Sequence, residues 1–292
     1  MMPVTNEVAG EKITQNVLAS FENAPDARLK EVMTSLVLHL HAFLREVNVT
    51  EEEWMAGIQF LTRTGQMCDD ARQEFILLSD TLGVSMLVDA INHRAGGGST
   101  ENTIFGPFYR DGAEEMPVGA SINKDGKGDP AVVQGRVLST EGAPIANATL
   151  DIWEGGANGL YEQQDPDQPE MNLRGIFHTD DQGYYRFVAI RPVSYPIPDD
   201  GPVGAMLRAL QRKHWRPGHI HLLVKAPGYN PLTTHIFASG DEFLVSDPVF
   251  GVKDSLVVDF NRNESEEEAA KYGVQAPFYT ANFDFILKPS GK

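Results

Sequence analysis

The stretch Arg216-Pro217-Gly218-His219-Ile220-His221-Leu222-Leu223-Val224 decides how the C-terminal half of the chain is interpreted. After Gly218 it is apolar enough to form a buried β-strand, and side chains two residues apart on a strand point to the same face. His219 and His221 are therefore predicted to share one face. Two imidazoles on one rigid strand provide half of a metal site, although an ordinary strand with two hydrogen-bonded histidines fits the same pattern.

Short apolar segments between Gly, Pro and Asp turns surround this run. Such segments, separated by frequent turns, are typical of an antiparallel β-sandwich. They cover residues 132–138, 149–153, 184–190, 220–226, 235–238, 255–260 and 282–286.

The first hundred residues have a helical period instead. An apolar stripe from Leu29 to Val47 is too long to be covered by three short neighbouring helices, so it predicts a homodimer. Pro25 marks the start of this helix, and Thr50 is the predicted cap of the next one. Further helices are predicted for residues 8–21, 51–63 and 70–94, the last ending at the glycine run 96–98. The two halves together predict an α+β fold.

Composition limits the function classes. The formal net charge of −17 over 292 residues argues against nucleic acid and against an anionic membrane surface as partners. No stretch approaches the roughly 20 apolar residues of a spanning helix. The N-terminal residues lack the features of a signal peptide, so a cytoplasmic protein is expected. Cys68 is the single cysteine, which excludes an intrachain disulfide.

Two tyrosines upstream extend the candidate metal site. Tyr161 ends Gly159-Leu160-Tyr161, and Tyr195 lies in a proline-rich run. They belong to an ordered set of motifs: Gly135-Arg136-Val137, Gly142 to Ala148, Leu150 to Trp153, Gly159 to Tyr161, Arg174 to Phe177, Tyr195 to Pro198 and Arg216 to His221. With these motifs in this order the chain resembles the intradiol ring-cleavage dioxygenases, and the resemblance extends from about residue 20 to the end.

The resemblance implies one Fe(III) per chain, held by two tyrosinates and two histidines. By motif, Tyr161 and His219 are the equatorial ligands, while Tyr195 and His221 are axial and Tyr195 leaves when substrate binds. The chemistry agrees, because a hard trivalent ion prefers anionic oxygen and can remove the proton of a phenol whose free pKa is about 10. Zinc is disfavoured, since its usual ligands are Cys, His and carboxylate.

The family architecture is also implied. It consists of a helical dimerisation domain over residues 1–100, a linker to about residue 127, and a β-sandwich catalytic domain over 128–292 that carries the iron. Members of the family often hold a lipid at the dimer interface. The partners implied are therefore a second copy of the chain, a lipid, O2 and a small aromatic diol or triol.

Further residues receive roles by motif. Arg216 occupies the position of a pocket guanidinium that stabilises charge on the ring. His235 stands where hydroxyquinol-type members have histidine. It either orients the reacting oxygen or a third ring hydroxyl, or hydrogen-bonds to a metal ligand. The expected substrate-binding residues come from a late helix, a loop and the second tyrosine's run: Leu77, Asp80, Ile104, Phe105, Gly106, Pro107, Phe108, Ile197 and Pro198.

The expected reaction is cleavage of hydroxyquinol (benzene-1,2,4-triol) by O2 to 3-hydroxy-cis,cis-muconate, which is maleylacetate. Catechol or a chlorocatechol is the alternative substrate. An alternative of another class is a non-catalytic ligand-binding β-sandwich module, which would not need both tyrosines and both histidines.

Overall fold

A computed structural model describes residues 6–69, 72–93 and 98–291. Contacts within the chain divide it into two compact units, Met1–Arg63 and Thr64–Lys292. The predicted boundary near residue 100 refers to functional domains and stays a prediction. None of the described helices is long and apolar enough to cross a membrane.

The first unit consists of helices. They are α1 (Asn6–Ala19), α2 (Ala27–Glu46) and most of α3 (Glu51–Gln66). Asp26 caps α2, since its side chain accepts hydrogen bonds from the backbone N–H groups of Arg28 and Leu29. At α3, Thr50 and Glu53 form a reciprocal capping pair, as the sequence predicted for Thr50. The apolar stripe of α2 contains no buried residue.

The second unit opens with two short helices, α4 (Glu74–Thr81) and α5 (Val84–Asn92). The prediction of one continuous helix over 70–94 was wrong. Gly83 adopts a left-handed conformation with φ of 73° and ends the first helix, which a residue with a side chain does less readily. The predicted ends Asp70 and Arg94, and Gly96 and Gly97 of the glycine run, lie outside the described residues.

Twelve strands and two further α-helices follow among the described residues. The strands are β1 (Pro130–Ser139), β2 (Thr149–Glu154), β3 (Arg174–His178), β4 (Tyr184–Ile190), β5 (Tyr195–Pro196), β6 (Trp215–Arg216), β7 (His219–Lys225), β8 (Leu232–Ala238), β9 (Val257–Val258), β10 (Asn261–Asn263), β11 (Phe278–Asn282) and β12 (Phe285–Leu287). The helices are α6 (Pro202–Ala209) and α7 (Glu266–Tyr272).

Two five-stranded sheets and a small β5–β6 pair result. One sheet has the order β10-β11-β1-β12 with β4 also paired to β1, and the other has the order β3-β2-β7-β8-β9. The expectation of strictly antiparallel sheets was wrong, because β1 pairs in parallel with β11 and β12, and β8 with β9. These partners are joined by long connections rather than hairpins, and long connections permit parallel pairing.

The core lies between the inner faces of the two sheets. On β7, Ile220, Leu222 and Val224 are fully buried in the same apolar cluster as Leu150 and Ile152 of β2. His219 and His221 alternate with these residues and therefore point to the outer face of their sheet, as the period-two pattern predicted.

Candidate metal centre

Strand register brings four functional side chains into one row. Arg174 of β3 pairs with Trp153 of β2, Trp153 pairs with His221 of β7, and His221 pairs with His235 of β8. Directly paired residues point to the same face of a sheet. The row therefore crosses four strands on the outer face of the sheet, opposite to the core.

Three imidazoles of this face form a buried cluster. The Nε2 atoms of His219 and His221 lie 3.2 Å apart, and Nδ1 of His221 lies 2.7 Å from Nε2 of His235. One ligating atom from each of the three lies within 4.8 Å of the others. Two nitrogens that bind one cation at about 2.1 Å and at right angles would be about 3 Å apart. The separation of the two Nε2 atoms therefore fits a shared metal ion.

The remaining ring nitrogens explain this orientation. Nδ1 of His219 lies 2.7 Å from the carbonyl oxygen of Pro217, and Nδ1 of His221 faces His235. Both Nε2 atoms are thus directed at each other. Burial and the nearby charge of Arg216 hold the pKa of His219 well below its usual value. Burial and the neighbouring imidazole of His219 lower the pKa of His221 in the same way. Both rings are neutral at pH 7, which is the form that binds metals.

The two predicted tyrosines lie beside this cluster. The rings of Tyr161 and Tyr195 meet edge to face at 5.8 Å, Tyr161 is 6.1 Å from the ring of His221, and Tyr195 is 5.5 Å from that of His219. The hydroxyl of Tyr161 is buried without a hydrogen-bond partner in the described part of the chain. Burial also raises the pKa of Tyr161 well above its usual value. Burying a phenol hydroxyl without a hydrogen-bond partner costs free energy, unless another group such as a cation binds its oxygen.

Arg216 lies against one of these tyrosines and one of the histidines. Its Nε donates to Oδ1 of Asp247 at 3.1 Å, while Nη1 lies 3.4 Å from the hydroxyl of Tyr195 and 3.1 Å from Nε2 of His219. Burial opposes its charge, but Asp247 and the two phenols raise the pKa of Arg216 above its usual value. Sequence reasoning missed Asp247, which lies in a loop with no periodic signal. Asp247 in turn accepts the N–H of Gly251 at 2.9 Å.

His235 is the third imidazole of this cluster. Its Nε2 meets His221, and its Nδ1 lies 2.7 Å from the hydroxyl oxygen of Thr103. Burial, followed by the neighbouring His221, holds the pKa of His235 well below its usual value. No role was predicted for Thr103, although it is the first residue of the predicted substrate loop.

That loop packs onto the site. A Cβ atom on Gly106, whose φ is 76°, would lie 3.1 Å from Cε1 of His221, so only glycine allows this close approach. Phe108 stacks on Tyr161 with ring centroids 4.4 Å apart. Ile197 and Pro198 come two and three residues after Tyr195, and Ile197 is buried.

A cavity of about 760 Å³ opens beside this loop. Four predicted substrate-binding residues line it: Asp80, Ile104, Phe105 and Gly106. Among the described residues, Leu77, Pro107, Phe108, Ile197 and Pro198 are not part of its lining. Burial raises the pKa of the Asp80 carboxyl, against the opposing influence of Ser85 and Arg216.

Comparisons with known proteins match this arrangement. Residues 26–100 match the family "Catechol dioxygenase N terminus", and residues 104–289 match the family "Dioxygenase". The chain is 49% identical to hydroxyquinol 1,2-dioxygenase of Rhizobium sp. (strain MTP-10005), over 95% of each chain. It is 47% identical to 6-chlorohydroxyquinol 1,2-dioxygenase of Cupriavidus pinatubonensis, over 95% of this chain and 97% of the relative.

A solved structure agrees with these sequence matches. The hydroxyquinol 1,2-dioxygenase of Pseudomonas putida DLL-E4 superimposes with a TM-score of 0.91 at 48% identity, covering 97% of this chain and 100% of that one. An intradiol ring-cleavage dioxygenase of Aspergillus niger is 43% identical over 98% of this chain and 87% of its own.

Proposed function

We infer the function from family membership, since the chain belongs to the intradiol ring-cleavage dioxygenases. It is an enzyme that opens an aromatic ring bearing adjacent hydroxyl groups with O2, which excludes the alternative of a non-catalytic binding module. We propose that its substrate is hydroxyquinol and its product is 3-hydroxy-cis,cis-muconate (maleylacetate). The observation that supports ring cleavage at a metal ion is that two buried phenols and two neutral imidazoles lie together at one face of a sheet. They are those of Tyr161, Tyr195, His219 and His221.

The metal we propose is Fe(III), one per chain, held by Tyr161, Tyr195, His219 and His221. The residues fit it, because two neutral imidazoles direct their Nε2 atoms at each other and a buried phenol lacks a partner. Phenolate oxygens suit a hard trivalent cation, whereas zinc sites use Cys, His and carboxylate. When bound, ferric iron would lower the pKa of the phenols and of the substrate hydroxyls and make the ring reactive toward O2.

Arg216 would provide electrostatic stabilisation. Asp247 fixes its guanidinium, so that Nη1 faces both Tyr195 and His219 without needing to reorganise. A hydroxyl of the substrate loses a proton on binding, and the oxygen of Tyr195 is the group we propose to take it. Arg216 donates toward that oxygen and also favours negative charge on the ring.

Of the two roles considered for His235, the geometry favours orientation of a metal ligand. If His221 binds the cation through Nε2, its Nδ1 carries the proton and donates it to Nε2 of His235. The Nδ1–H of His235 then donates to the hydroxyl oxygen of Thr103. Hydrogen bonds of this kind fix the tautomer and the ring plane of a metal-binding histidine.

Hydroxyquinol is favoured over catechol by the buried Asp80 carboxyl in the wall of this cavity. A third ring hydroxyl can donate a hydrogen bond to this carboxyl, which a catechol cannot do. The relatives named for hydroxyquinol and chlorohydroxyquinol support the same choice.

Oxygen uptake by the iron-loaded enzyme tests the proposal. With hydroxyquinol we expect rapid uptake, one O2 per substrate, and maleylacetate as the product identified by mass spectrometry. With catechol we expect a lower kcat/KM. Equal kcat/KM values would favour catechol or a chlorocatechol, and no ring-opened product from any of these substrates would reject the function.

We further propose that the chain forms a homodimer through its helical unit. A groove of about 610 Å³ in that unit is lined by apolar side chains of α2 and α3, including Leu40, Phe43, Trp54, Ile58 and Leu61. A lipid at the dimer interface would have the chemistry to fill such a groove.

A further inference from the structure

A second buried arginine lies next to the metal-binding residues, and the proposed mechanism does not use it. Arg174 donates from Nε to Oε1 of Glu162 at 2.9 Å, and its Nη2 lies 2.8 Å from Oε2 of the same carboxylate. The side chains of both residues are 2% exposed. A buried ion pair of this kind is costly to form, so its position calls for an explanation.

Glu162 directly follows Tyr161 in the chain. The N–H of Tyr161 donates to Oε1 of Gln164 at 3.0 Å, and the N–H of Gln164 donates back to the carbonyl oxygen of Tyr161 at 2.8 Å. Nη2 of Arg174 also lies 3.2 Å from Oε1 of Gln163. The turn that begins at Tyr161 is therefore attached to strand β3 through the guanidinium of Arg174.

Arg174 also belongs to the row that contains His221. It pairs with Trp153, whose ring stacks on that of His221 with centroids 4.7 Å apart and planes 15° apart. Arg174 thus connects the turn that begins at Tyr161, through its guanidinium, to the row that contains His221, through its strand pairing.

Glu162 has a second, outer partner. Arg110 places Nη1 2.8 Å from Oε1 of Glu162, so two arginines share one buried carboxylate. The side chain of Arg110 is 35% exposed and also contacts the exposed Glu170, so solvent screens much of its charge. Arg174 is therefore the buried partner that joins Glu162 to strand β3.

We propose that Arg174 is a positioning residue of the metal site, which holds the turn of Tyr161 against the row of His221. The inference depends on the proposed iron site. Variants that remove the ion pair, keep only its charge or remove only its outer partner therefore predict different results.

The test compares Arg174→Gln, Arg174→Lys and Arg110→Gln with the wild type, all loaded with Fe(III). Three readouts are needed: thermal unfolding of the metal-free protein, iron loss to a chelator, and the tyrosinate-to-iron charge-transfer band. Arg110→Gln is the matched control, because it removes the outer partner of the same carboxylate. Loss of a group that orients a metal ligand typically costs 10–100-fold in metal affinity.

For Arg174→Gln we expect iron loss at least about tenfold faster than in the wild type and a band shifted from the wild-type position, because the turn of Tyr161 is no longer held to its strand. Arg174→Lys keeps the charge but not the guanidinium hydrogen bonds to the turn. We therefore expect a rate of iron loss between those of the wild type and Arg174→Gln. The control should retain the wild-type rate of iron loss and the wild-type band.

The paired variant Arg174→Met with Glu162→Leu covers the case in which Arg174→Gln does not fold, because an apolar pair can replace a buried ion pair without loss of stability. A shifted band in this variant supports the inference. Wild-type iron loss and band position in Arg174→Gln or in the paired variant would overturn it. A wild-type protein that shows no band at all would instead contradict the proposed iron site, so the two failures are distinguishable.

Discussion

At the scale of single residues, each of the two histidine ligand candidates has a neighbour that fixes its orientation. Pro217 and His235 hold the two Nδ1 atoms, and Asp247 holds Arg216. Motifs were sufficient to find the four candidate ligands and Arg216. They did not find Asp247 or Thr103, because these contact their partners across 31 and 132 residues of chain, and such pairings leave no local pattern.

Arg216→Leu should lower kcat by at least about tenfold, because loss of one preorganised electrostatic donor usually costs that much or more. Iron should stay bound, since Arg216 is not a ligand candidate. Stopped-flow kinetics and metal analysis measure the two effects separately. Arg208→Leu, a change at an exposed arginine paired with Asp199, is the control and should leave kcat unchanged. An unchanged kcat in Arg216→Leu would show that this residue is only structural.

Asp80→Leu should narrow the preference for hydroxyquinol over catechol. A buried polar group left unpaired costs about 1–3 kcal/mol, so we expect the ratio of the two kcat/KM values to fall by about 5- to 150-fold. The change should come chiefly from weaker use of hydroxyquinol. Asp80→Asn, which can still hydrogen-bond, is the control and should keep part of the preference. A ratio unaffected by Asp80→Leu would remove this residue from substrate recognition.

At the scale of elements, the period of two predicted which face of β7 carries the histidines. It did not predict the row of Arg174, Trp153, His221 and His235, because that row depends on three registers between strands that are distant in sequence. The break between α4 and α5 was also missed, since a single glycine within a helical pattern does not reveal whether the helix ends there.

The last residue of β2 offers a prediction for stability. Glu154 is buried, pairs with Ile220 across the sheet, and has no hydrogen-bond partner for either carboxylate oxygen within the described residues. Burial raises the pKa of the Glu154 carboxyl well above its usual value. A folded-state pKa above the unfolded one means that stability is present at low pH and is lost as the pH rises from the unfolded pKa through the folded one.

Glu154→Gln should therefore raise the Tm at pH 7 to 8, because the neutral amide no longer has to keep a proton in the core. Its Tm should also vary less with pH above about 4.5 than that of the wild type. Scanning calorimetry from pH 5 to 8 measures both effects. Glu267→Gln, at an exposed position of α7, is the control. A wild-type pH dependence in Glu154→Gln would mean that this carboxyl does not titrate as burial requires.

At the scale of the whole molecule, the helical unit leaves apolar surface uncovered. Leu29, Leu36 and Phe43 of α2 are each more than half exposed, as is Val47, which directly follows the helix. The sequence predicted both this stripe and its use in a dimer. Contiguous exposed apolar surface of this kind is typical of protein interfaces.

Phe43→Glu should convert a dimer into a monomer, because it places a charge in the middle of the stripe. Ala42→Glu adds the same charge at the exposed residue that directly precedes Phe43. Ala42 lies about 100° around the helix from Phe43 and off the stripe, so this change should leave the dimer intact. Sedimentation at micromolar concentration distinguishes the two species. A wild-type chain that sediments as a stable monomer would contradict the proposal.

The visible absorption spectrum, measured together with iron content, tests the central claim most directly. The wild type loaded with Fe(III) should bind about one iron per chain and show a wine-red tyrosinate-to-iron band. Tyr161→Phe and His221→Ala should lose both, while Tyr184→Phe and His178→Ala, at residues outside the cluster, should keep both. A colourless wild type, or full colour and activity in Tyr161→Phe or His221→Ala, would contradict the assignment of the metal site.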